Sequence, residues 1–324
     1  MLITAIGCPG SSGTIMSLKD HYDLIGCDSN PDVWKYNIPF YRVPVIGDMP
    51  SISGKMSLEN RKYVEAIKSI KFDAIIPHHE YDNMIFAYDD VIKVKSPINS
   101  ARNIRSLSNK FTFLSEIADM GKITFPFFKA VNYSELKIAS EKLGFPFVIK
   151  PVNSSGGRGF RIVVSGSQYE TGYKNEVFSS LNGLKNIGDE LVAMPLFKGT
   201  EWTVDCLARD GEAIYIIPRK RTIVKQGVSW GGIIQRNDRI ETIVRELIKA
   251  HGLSFFFGFQ FIEDDNGIPQ PTECNARIQG TMAASTLAGA NIIKNGVDML
   301  FDRDFKINIV DWNRRFYRFS VLTK

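Results

Sequence analysis

The stretch that most constrains what this chain can fold into runs from Phe255 to Arg277. Its first part, Phe255–Ile262, is an apolar run that predicts a strand, and Asp265-Asn266-Gly267 predicts the turn that follows it. A second short strand then leads to Arg277. The stretch therefore predicts an antiparallel hairpin in which alternate side chains share one face.

Four polar side chains are expected to meet on one face of this hairpin. They are Gln260, Glu273, Asn275 and Arg277. One carboxylate and two amide oxygens suit a hard divalent cation, and a guanidinium suits a phosphate group. A polar edge hairpin without a ligand is the alternative interpretation of this stretch alone.

A loop rich in serine and glycine lies upstream of the hairpin. Phe147–Ile149 predicts a buried strand that ends in Lys150, and Arg161–Val164 predicts the next strand. The loop between them contains Ser154, Ser155, Gly156 and Gly157. Its backbone N–H groups can approach phosphate oxygens, although the pattern of a P-loop is absent. We interpret it as a flap over a triphosphate, with a plain glycine hairpin as the alternative.

The segment from Glu190 to Cys206 predicts a nucleoside site. Strands are expected over Leu191–Met194 and Trp202–Leu207. The backbone between Met194 and Leu196 can offer a C=O and an N–H group to an adenine edge. Glu201 would then accept hydrogen bonds from both hydroxyls of a ribose, unless it is simply a solvated residue at the end of a hairpin.

Taken together, these motifs resemble those of the ATP-grasp superfamily, in particular the ATP-grasp modules of the carbamoyl-phosphate synthase large subunit and its stand-alone relatives. The residues that carry the resemblance are, in chain order, Lys110, Lys150, the serine/glycine loop, Met194–Leu196, Glu201, Gln260, Glu273, Asn275 and Arg277. The resemblance covers most of the chain, from the N-terminal glycine loop to about residue 300.

For the nucleotide, the resemblance implies that Lys110 and Lys150 bind ATP phosphates and that residues 154–159 form a mobile flap. It also implies that Met194 and Leu196 bind adenine through the backbone and that Glu201 holds the ribose. The apolar sequence Ala193-Met194-Pro195 departs from many family members, which have a polar side chain there.

For the chemistry, the resemblance implies that three residues bind Mg²⁺, with Mn²⁺ as an alternative metal. They are Gln260, Glu273 and Asn275. Arg277 would stabilise the transferring phosphoryl group. Arg219, in the basic triplet Arg219-Lys220-Arg221, is expected to reach the ATP phosphates or an acyl phosphate. Gln260 is a neutral ligand where many members have a carboxylate, although carbamoyl-phosphate synthase modules use a similar set.

The fold class expected is α/β. Residues 1–106 would form an N-terminal parallel-sheet domain, and a two-lobed α+β ATP-grasp domain would follow, with lobes at 107–188 and 189–324. The parallel sheet is predicted from short apolar runs that alternate with helical or loop stretches. These runs are Leu2–Ile6, Leu24–Cys27, Ala74–Ile76 and Val91–Val94.

A substrate site is expected at the carboxyl ends of the parallel strands, where ligands bind in open α/β sheets. The glycine loop Gly7–Gly13 follows the first strand and could border this crevice. The sequence Pro77-His78-His79-Glu80-Tyr81-Asp82 could do the same, with Glu80 or Asp82 contacting the substrate. The loop alone would also fit a nicotinamide-dependent reductase, but its glycine spacing is not G-x-G-x-x-G.

Composition is that of a globular protein, with 44% apolar residues and a formal net charge of +5. No apolar run approaches the length of a membrane helix, and the N-terminus does not resemble a signal peptide. The four cysteines are scattered without metal-ligand spacing, which fits a reducing cytoplasm. Nucleic-acid binding is not expected, because the body of the chain has no basic cluster with interleaved aromatic residues.

The function expected from this sequence is ATP-dependent ligation of a small-molecule carboxylate to an amine, or to a thiol, through an acyl phosphate. A homodimer is an expected assembly. The alternatives are a small-molecule kinase of the same fold and a non-catalytic nucleotide-binding subunit. The presence of both Glu273 and Arg277 argues against the non-catalytic subunit, because an inactive site tends to lose such residues.

Overall fold

The computed structural model describes residues 1–8, 10–33, 37–154, 156–165, 190–225 and 227–318, without the side chain of Tyr133. The N-terminal section contains a parallel sheet with the strands β1 Leu2–Ile3, β2 Ile25–Asp28, β3 Phe40–Arg42 and β4 Ile75–Ile76. The described strands lie in the order β3-β2-β1-β4. The helices of this section are α1 Ser11–Leu18, α2 Leu58–Lys68, α3 Glu80–Ala87, α4 Asp90–Lys93 and α5 Ala101–Ser108, with a 3₁₀ turn at Pro31–Val33.

An antiparallel sheet follows, with the strands β5 Phe128–Ala130, β6 Phe147–Pro151, β7 Arg161–Val163 and β8 Leu191–Pro195 in the order β5-β8-β6-β7. Its helices are α6 Lys110–Asp119 and α7 Tyr133–Leu143.

A larger antiparallel sheet completes the described chain. Its strands are β9 Glu201–Arg209, β10 Glu212–Lys225, β11 Val228–Ile234, β12 Phe255–Glu263, β13 Pro269–Asn275 and β14 Arg315–Tyr317, in the order β13-β12-β9-β10-β11-β14. Its helices are α8 Asp238–His251, α9 Ala283–Leu287 and α10 Ile292–Leu300. The architecture confirms the expected fold class, a parallel-sheet section followed by a two-lobed α+β section.

The prediction of a strand at Val91–Val94 is wrong, because these residues lie in and just after helix α4. The Asp89 carboxylate accepts hydrogen bonds from the backbone N–H groups of Val91 and Ile92, at 3.1 and 3.0 Å, and so caps the helix. Side-chain capping of this kind favours a helix start even where the following residues are β-branched. The fourth parallel strand is instead β3, which the apolar pattern did not indicate.

The lobe boundary expected between residues 188 and 189 also differs from the strand pairing. That boundary would assign β8 to the second lobe, yet β8 pairs with β5 and β6 of the first antiparallel sheet. Ile149 lies opposite Ala193, and Val148 lies opposite Met194. The division between the two antiparallel sheets therefore falls after Pro195.

Packing between α6 and β12 fixes the start of α6 beside the hairpin of β12 and β13. The ring of Phe113 on α6 packs against Phe259 on β12, with their centroids 6.1 Å apart. Asn109 caps the helix by accepting a 3.0 Å hydrogen bond from the Thr112 N–H group. Lys110, the first residue of α6, is consequently held facing β13.

In the part of the chain that the structure describes, no helix has the length and apolar character needed to cross a membrane.

Candidate active site

A cavity of about 770 Å³ opens between the two antiparallel sheets. Side chains of β6 and β8 form one wall, and side chains of β9, β12 and β13 form the opposite wall. Apolar residues line one part of it: Val148, Phe160, Ile162, Met194, Leu196 and Ile262. The cavity therefore contains an apolar slot of the kind that a flat aromatic base can enter.

The rest of this cavity is strongly basic. Of the described residues that line it, five are lysine or arginine and two are glutamate: Lys110, Lys150, Arg158, Arg161 and Arg221 against Glu201 and Glu273. An excess of positive charge in a recessed site attracts and holds polyanions. The combination of an apolar slot and a basic region fits a nucleotide.

Both predicted lysines line this cavity. The Lys110 ammonium donates a hydrogen bond to the Ser154 carbonyl and lies 3.8 Å from the Glu273 carboxylate. Burial lowers the pKa of Lys150, a shift that the negative charge of Glu273 opposes and the positive charge of Lys110 reinforces. An anion bound between the two lysines would offset both the desolvation cost of their buried charges and the repulsion between them.

The loop between β6 and β7 covers one side of the cavity. Gly156, Gly157 and Gly159 have φ angles of 67°, 73° and 74°, which favour glycine. A Cβ atom on Gly227 would lie 3.1 Å from Gly157 Cα, so the loop rests against the turn between β10 and β11. The Ser154 hydroxyl donates a 3.1 Å hydrogen bond to the Arg158 carbonyl. Ser155, which was predicted to belong to this loop site, lies outside the described residues.

Side-chain hydrogen bonds join three of the four hairpin residues, and strand pairing brings in the fourth. Arg277 donates to the Asn275 side-chain oxygen at 3.0 Å, and the Asn275 amide donates to Glu273 at 3.1 Å. Gln260 lies directly opposite Glu273 across the two strands. The four residues that were predicted to converge are thus brought together. A β-bulge follows Gln260, and such bulges re-aim side chains beside functional sites.

The oxygen atoms of this group could hold a hard divalent cation. Gln260, Glu273 and Asn275 supply one carboxylate and two amide oxygens, and Gln260 and Glu273 border the basic cavity. Among the described residues there is no cluster of three or more His, Cys, Asp or Glu side chains with metal-binding spacing. This donor set suits a cation that receives most of its ligands from a polyphosphate.

Arg219 is placed differently from the expectation that it reaches phosphate. It is fully buried, and its Nε and Nη2 atoms both lie 2.8 Å from the carboxylate of Asp205, which is also fully buried. Its Nη1 atom donates to the Thr281 hydroxyl at 2.8 Å. Arg219 lines neither of the two cavities described in this section.

Arg221, two residues further along β10, borders both cavities instead. It donates hydrogen bonds to the Glu201 carboxylate at 2.7 Å and to the Gly227 carbonyl at 2.6 Å. Burial lowers its pKa, while the charge of Glu201 raises it. Glu201, the residue predicted to hold a ribose, borders the basic cavity and is held there by this arginine.

A second cavity, of about 560 Å³, lies between the hairpin and the carboxyl ends of β1 and β4. Six residues border both cavities: Gly156, Arg158, Arg221, Gly227, Gln260 and Glu273. Arg277 borders the second cavity. The two spaces therefore meet at the proposed metal ligands, and a molecule in one can reach a molecule in the other at this junction.

The two predicted substrate residues lie in different places. Glu80 borders the second cavity, but Asp82 is fully buried in the N-terminal section. The Asp82 carboxylate accepts hydrogen bonds from the hydroxyls of Thr4 and Tyr63, and burial raises its pKa to about 6. The structure therefore does not place Asp82 in contact with a ligand in this cavity.

Two other residues of the second cavity were not selected as site residues from the sequence. His78 belongs to the segment Pro77–Asp82 that was expected to border the crevice, and Gln279 was not singled out from the sequence. Both are buried and border the second cavity. Their position just before Glu80 and just after Arg277 is the signal that could have indicated them.

Comparisons with known proteins found a family model and relatives that match parts of the chain. A family model described as "ATP-grasp in the biosynthetic pathway with Ter operon" matches residues 188–321. A formate-dependent phosphoribosylglycinamide formyltransferase of Bacteroides fragilis is 31% identical over 114 residues, which are 35% of this chain and 29% of the relative. An L-arginine-specific L-amino acid ligase of Bacillus subtilis is 26% identical over 153 residues, or 46% of this chain and 37% of the relative. The chain thus spans less than two fifths of the length of either relative.

One solved structure shows the same fold over nearly the whole chain. It is the biotin carboxylase domain of a 2-oxoglutarate carboxylase from Hydrogenobacter thermophilus, crystallised with MgADP, ADP and bicarbonate. The two structures agree with a TM-score of 0.77 at 16% sequence identity, covering 97% of this chain and 72% of that chain.

Proposed function

We propose that this chain, which belongs to the ATP-grasp superfamily, is an ATP-dependent ligase that joins a small-molecule carboxylate to an amine, or to a thiol, through an acyl phosphate. The observation that carries the proposal is the junction of the two cavities at Gln260 and Glu273. One cavity suits a nucleotide, the other suits a second reactant, and the proposed phosphoryl-transfer residues lie between them.

In this proposal ATP occupies the basic cavity. The adenine enters the apolar slot beside Met194 and Leu196, and Glu201 holds the ribose. Lys110 and Lys150 bind the phosphates beneath the glycine loop, with Ser154, Gly156 and Gly157 providing backbone contacts. Arg221, rather than the buried Arg219, supplies the further positive charge. This last assignment follows from the ion pair that occupies Arg219.

Gln260, Glu273 and Asn275 would hold the cation that accompanies ATP, Mg²⁺ or alternatively Mn²⁺. When bound, such a cation neutralises the charge that develops on the phosphate oxygens. Arg277 is positively charged, like the cation, and its hydrogen bond to Asn275 holds it in place. It can therefore stabilise the transferring phosphoryl group from the side of the second cavity.

The reaction needs no side-chain nucleophile. A carboxylate oxygen of the substrate attacks the γ-phosphorus, the bond to the β-γ bridging oxygen breaks, and ADP and an acyl phosphate form. The amine then attacks the acyl carbon and phosphate leaves. The chain's own residues position the reactants and neutralise charge. The glycine loop excludes water that would otherwise hydrolyse the acyl phosphate.

The test is a screen for ADP release with MgATP and pools of amino acids and di- and tricarboxylic acids, with hydroxylamine added to trap any acyl phosphate. We expect a carboxylate-dependent hydroxamate, identified by mass spectrometry. A stable phosphorylated product that resists hydroxylamine would instead identify a kinase. ATP binding without turnover for any pool would identify a non-catalytic nucleotide-binding subunit.

A cytoplasmic location and a homodimeric state are further parts of this proposal. Small molecules are the only partners it requires. Light scattering of the purified chain at several concentrations tests the assembly, and a mass equal to that of one chain throughout would contradict the dimer.

A further inference from the structure

The second cavity contains two buried polar atoms that have no hydrogen-bond partner among the described residues. They are Nε2 of His78, a residue that is 2% exposed, and Oε1 of Gln279, a residue that is 6% exposed. An unsatisfied buried polar atom costs about 1–3 kcal/mol, and most such atoms in folded proteins are paired. Because both residues border the same cavity, a ligand in that cavity can supply the missing partners.

The surrounding backbone holds both side chains in place. A Cβ atom on Gly258 would lie 2.3 Å from the Gln279 amide carbon, so the amide lies flat against this glycine. A Cβ atom on Gly10 would lie 2.9 Å from Gly280 Cα and 3.6 Å from His78 Nδ1. The loop after β1 therefore packs closely against both the histidine and the segment that carries Gln279.

The groups beside these atoms favour a hydrogen-bond donor such as an N–H group, because two unpartnered atoms and a carboxylate border the same cavity. Glu80 borders the cavity and has no ion-pair partner among the described residues, whereas Glu273 lies beside Lys110. Burial, reinforced by the charge of Arg277, lowers the pKa of His78 to about 3. The ring is therefore neutral at physiological pH and does not repel a cation. His79 is neutral as well, since burial lowers its pKa to about 4.

Four arginines border the same cavity and suit the anionic reactant: Arg158, Arg221, Arg277 and Arg318. The cavity thus offers arginines to the carboxylate and its phosphoryl group, and two neutral polar side chains with one carboxylate to a nitrogen nucleophile.

We propose that His78 Nε2, Gln279 Oε1 and the Glu80 carboxylate form the acceptor subsite, and that the acceptor is a primary amine that enters as an ammonium ion. This inference rests on the ligase function proposed above. Glu80 holds the cation, and the two neutral acceptors hold its N–H groups so that the nitrogen faces the acyl phosphate.

The chemistry balances with the groups at hand. The ammonium ion gives one proton to the Glu80 carboxylate, which later releases it to solvent. The freed nitrogen lone pair forms a bond to the acyl carbon, and the bond from that carbon to the phosphate oxygen breaks with its electron pair. The amide nitrogen loses a second proton to the departing phosphate, which leaves as hydrogen phosphate.

Hydroxylamine separates this inference from the ligase function itself. It is uncharged at neutral pH and small, so it can intercept the acyl phosphate without an ammonium-binding carboxylate. Ethanolamine and glycinamide serve as cationic probe amines. Each is tested with MgATP and the carboxylate that supports hydroxamate formation.

Three variants probe the subsite: Glu80→Gln, His78→Phe and Gly258→Ala, the last of which displaces the Gln279 amide while residue 279 remains glutamine. We expect each to raise the KM for the cationic amine by about tenfold or more, the scale of a hydrogen bond to a charged group. Hydroxamate formation and the KM for ATP should stay within about twofold, a change too small to represent one lost hydrogen bond. Glu65→Gln, which changes an exposed glutamate on α2, is the matched control.

An unchanged KM for the amine in Glu80→Gln and Gly258→Ala, with normal hydroxamate formation, would overturn the acceptor subsite and leave the ligase function standing. Hydroxamate formation that fails in the wild-type protein for every carboxylate would overturn the ligase function, and the subsite with it. Thermal unfolding of each variant distinguishes a local effect from loss of the fold, and Gly258→Ala keeps the test decisive if His78→Phe does not fold.

Discussion

Replacing Glu273 by Gln should remove the only carboxylate among the three proposed metal ligands. The substitution keeps the size of the side chain and its capacity to accept a hydrogen bond from Asn275, so the hairpin should persist. What changes is charge. The proposed cation loses its one charged protein ligand, and Lys110 loses the carboxylate 3.8 Å from its ammonium group.

The loss of the partner of Lys110 affects the folding free energy, and the loss of the metal ligand affects turnover. At an effective dielectric constant of about 20, opposite unit charges about 4 Å apart attract by roughly 4 kcal/mol. Lys110 keeps its hydrogen bond to the Ser154 carbonyl and borders an open cavity, so we expect a smaller loss of folding free energy, about 1–3 kcal/mol. Turnover should fall by at least about a hundredfold, the effect of losing one electrostatic contact to a transition state.

The assays are ADP release at saturating Mg²⁺ and ATP, and urea unfolding of the protein without nucleotide. Glu190→Gln is the control, because Glu190 pairs with Lys129 at 2.6 Å with both side chains more than a third exposed. Such a surface pair contributes at most about 1 kcal/mol. If Glu273→Gln turns over at a rate near that of the wild type while Mg²⁺ is saturating, the metal assignment is wrong and residues 260–277 form a structural hairpin.

Three further variants test other parts of the structure. Asp205→Asn leaves the fully buried Arg219 charged without its partner, so urea unfolding should show a loss of about 3–5 kcal/mol, and a loss below about 1 kcal/mol would contradict the buried ion pair. Arg221→Met should raise the KM for ATP by about ten- to a hundredfold, through loss of a charged contact and of the support for Glu201, and an unchanged KM would exclude this arginine from the nucleotide site. Asp82→Asn tests the raised pKa of a buried carboxyl, about 6 against its usual 3.8. Because the folded protein holds the Asp82 proton more tightly, wild-type stability relative to the variant should fall by roughly 3 kcal/mol as pH rises from about 4 to about 6 and stay level above that, whereas parallel pH profiles would refute the assignment.

The part of the site on the β12–β13 hairpin was predictable because it depends on local alternation. Gln260 and Glu273 face each other as cross-strand partners, and Asn275 joins Glu273 to Arg277 through hydrogen bonds between nearby residues. A strand repeats its side-chain direction every two residues, so the sequence alone specifies which side chains can converge. The strand β8 was also predicted, over Leu191–Met194, although its partner sheet was not.

Arg219 and Arg221 show where such reasoning ends. They are two residues apart on one strand, so alternation assigns them the same face. What separates them is the chain that lies over each one. Thr281 and Asp205 enclose Arg219, whereas Arg221 borders the two cavities. These contacts join residues as much as 62 positions apart, and no local pattern encodes them.

The buried pair of Arg219 and Asp205 also explains how the second cavity keeps its shape. Asp205 accepts a 2.6 Å hydrogen bond from Ser285, and Arg219 donates to Thr281, so the pair fastens the segment after Arg277 to the centre of the large sheet. An apolar pair of similar volume could be at least as stable, because burying two charges has a large desolvation cost. It could not, however, donate and accept the two hydrogen bonds that fix the 281–285 segment. Gln279 lies two residues before Thr281. The geometry of the proposed acceptor subsite therefore depends on the Arg219–Asp205 pair, although neither residue of the pair borders either cavity.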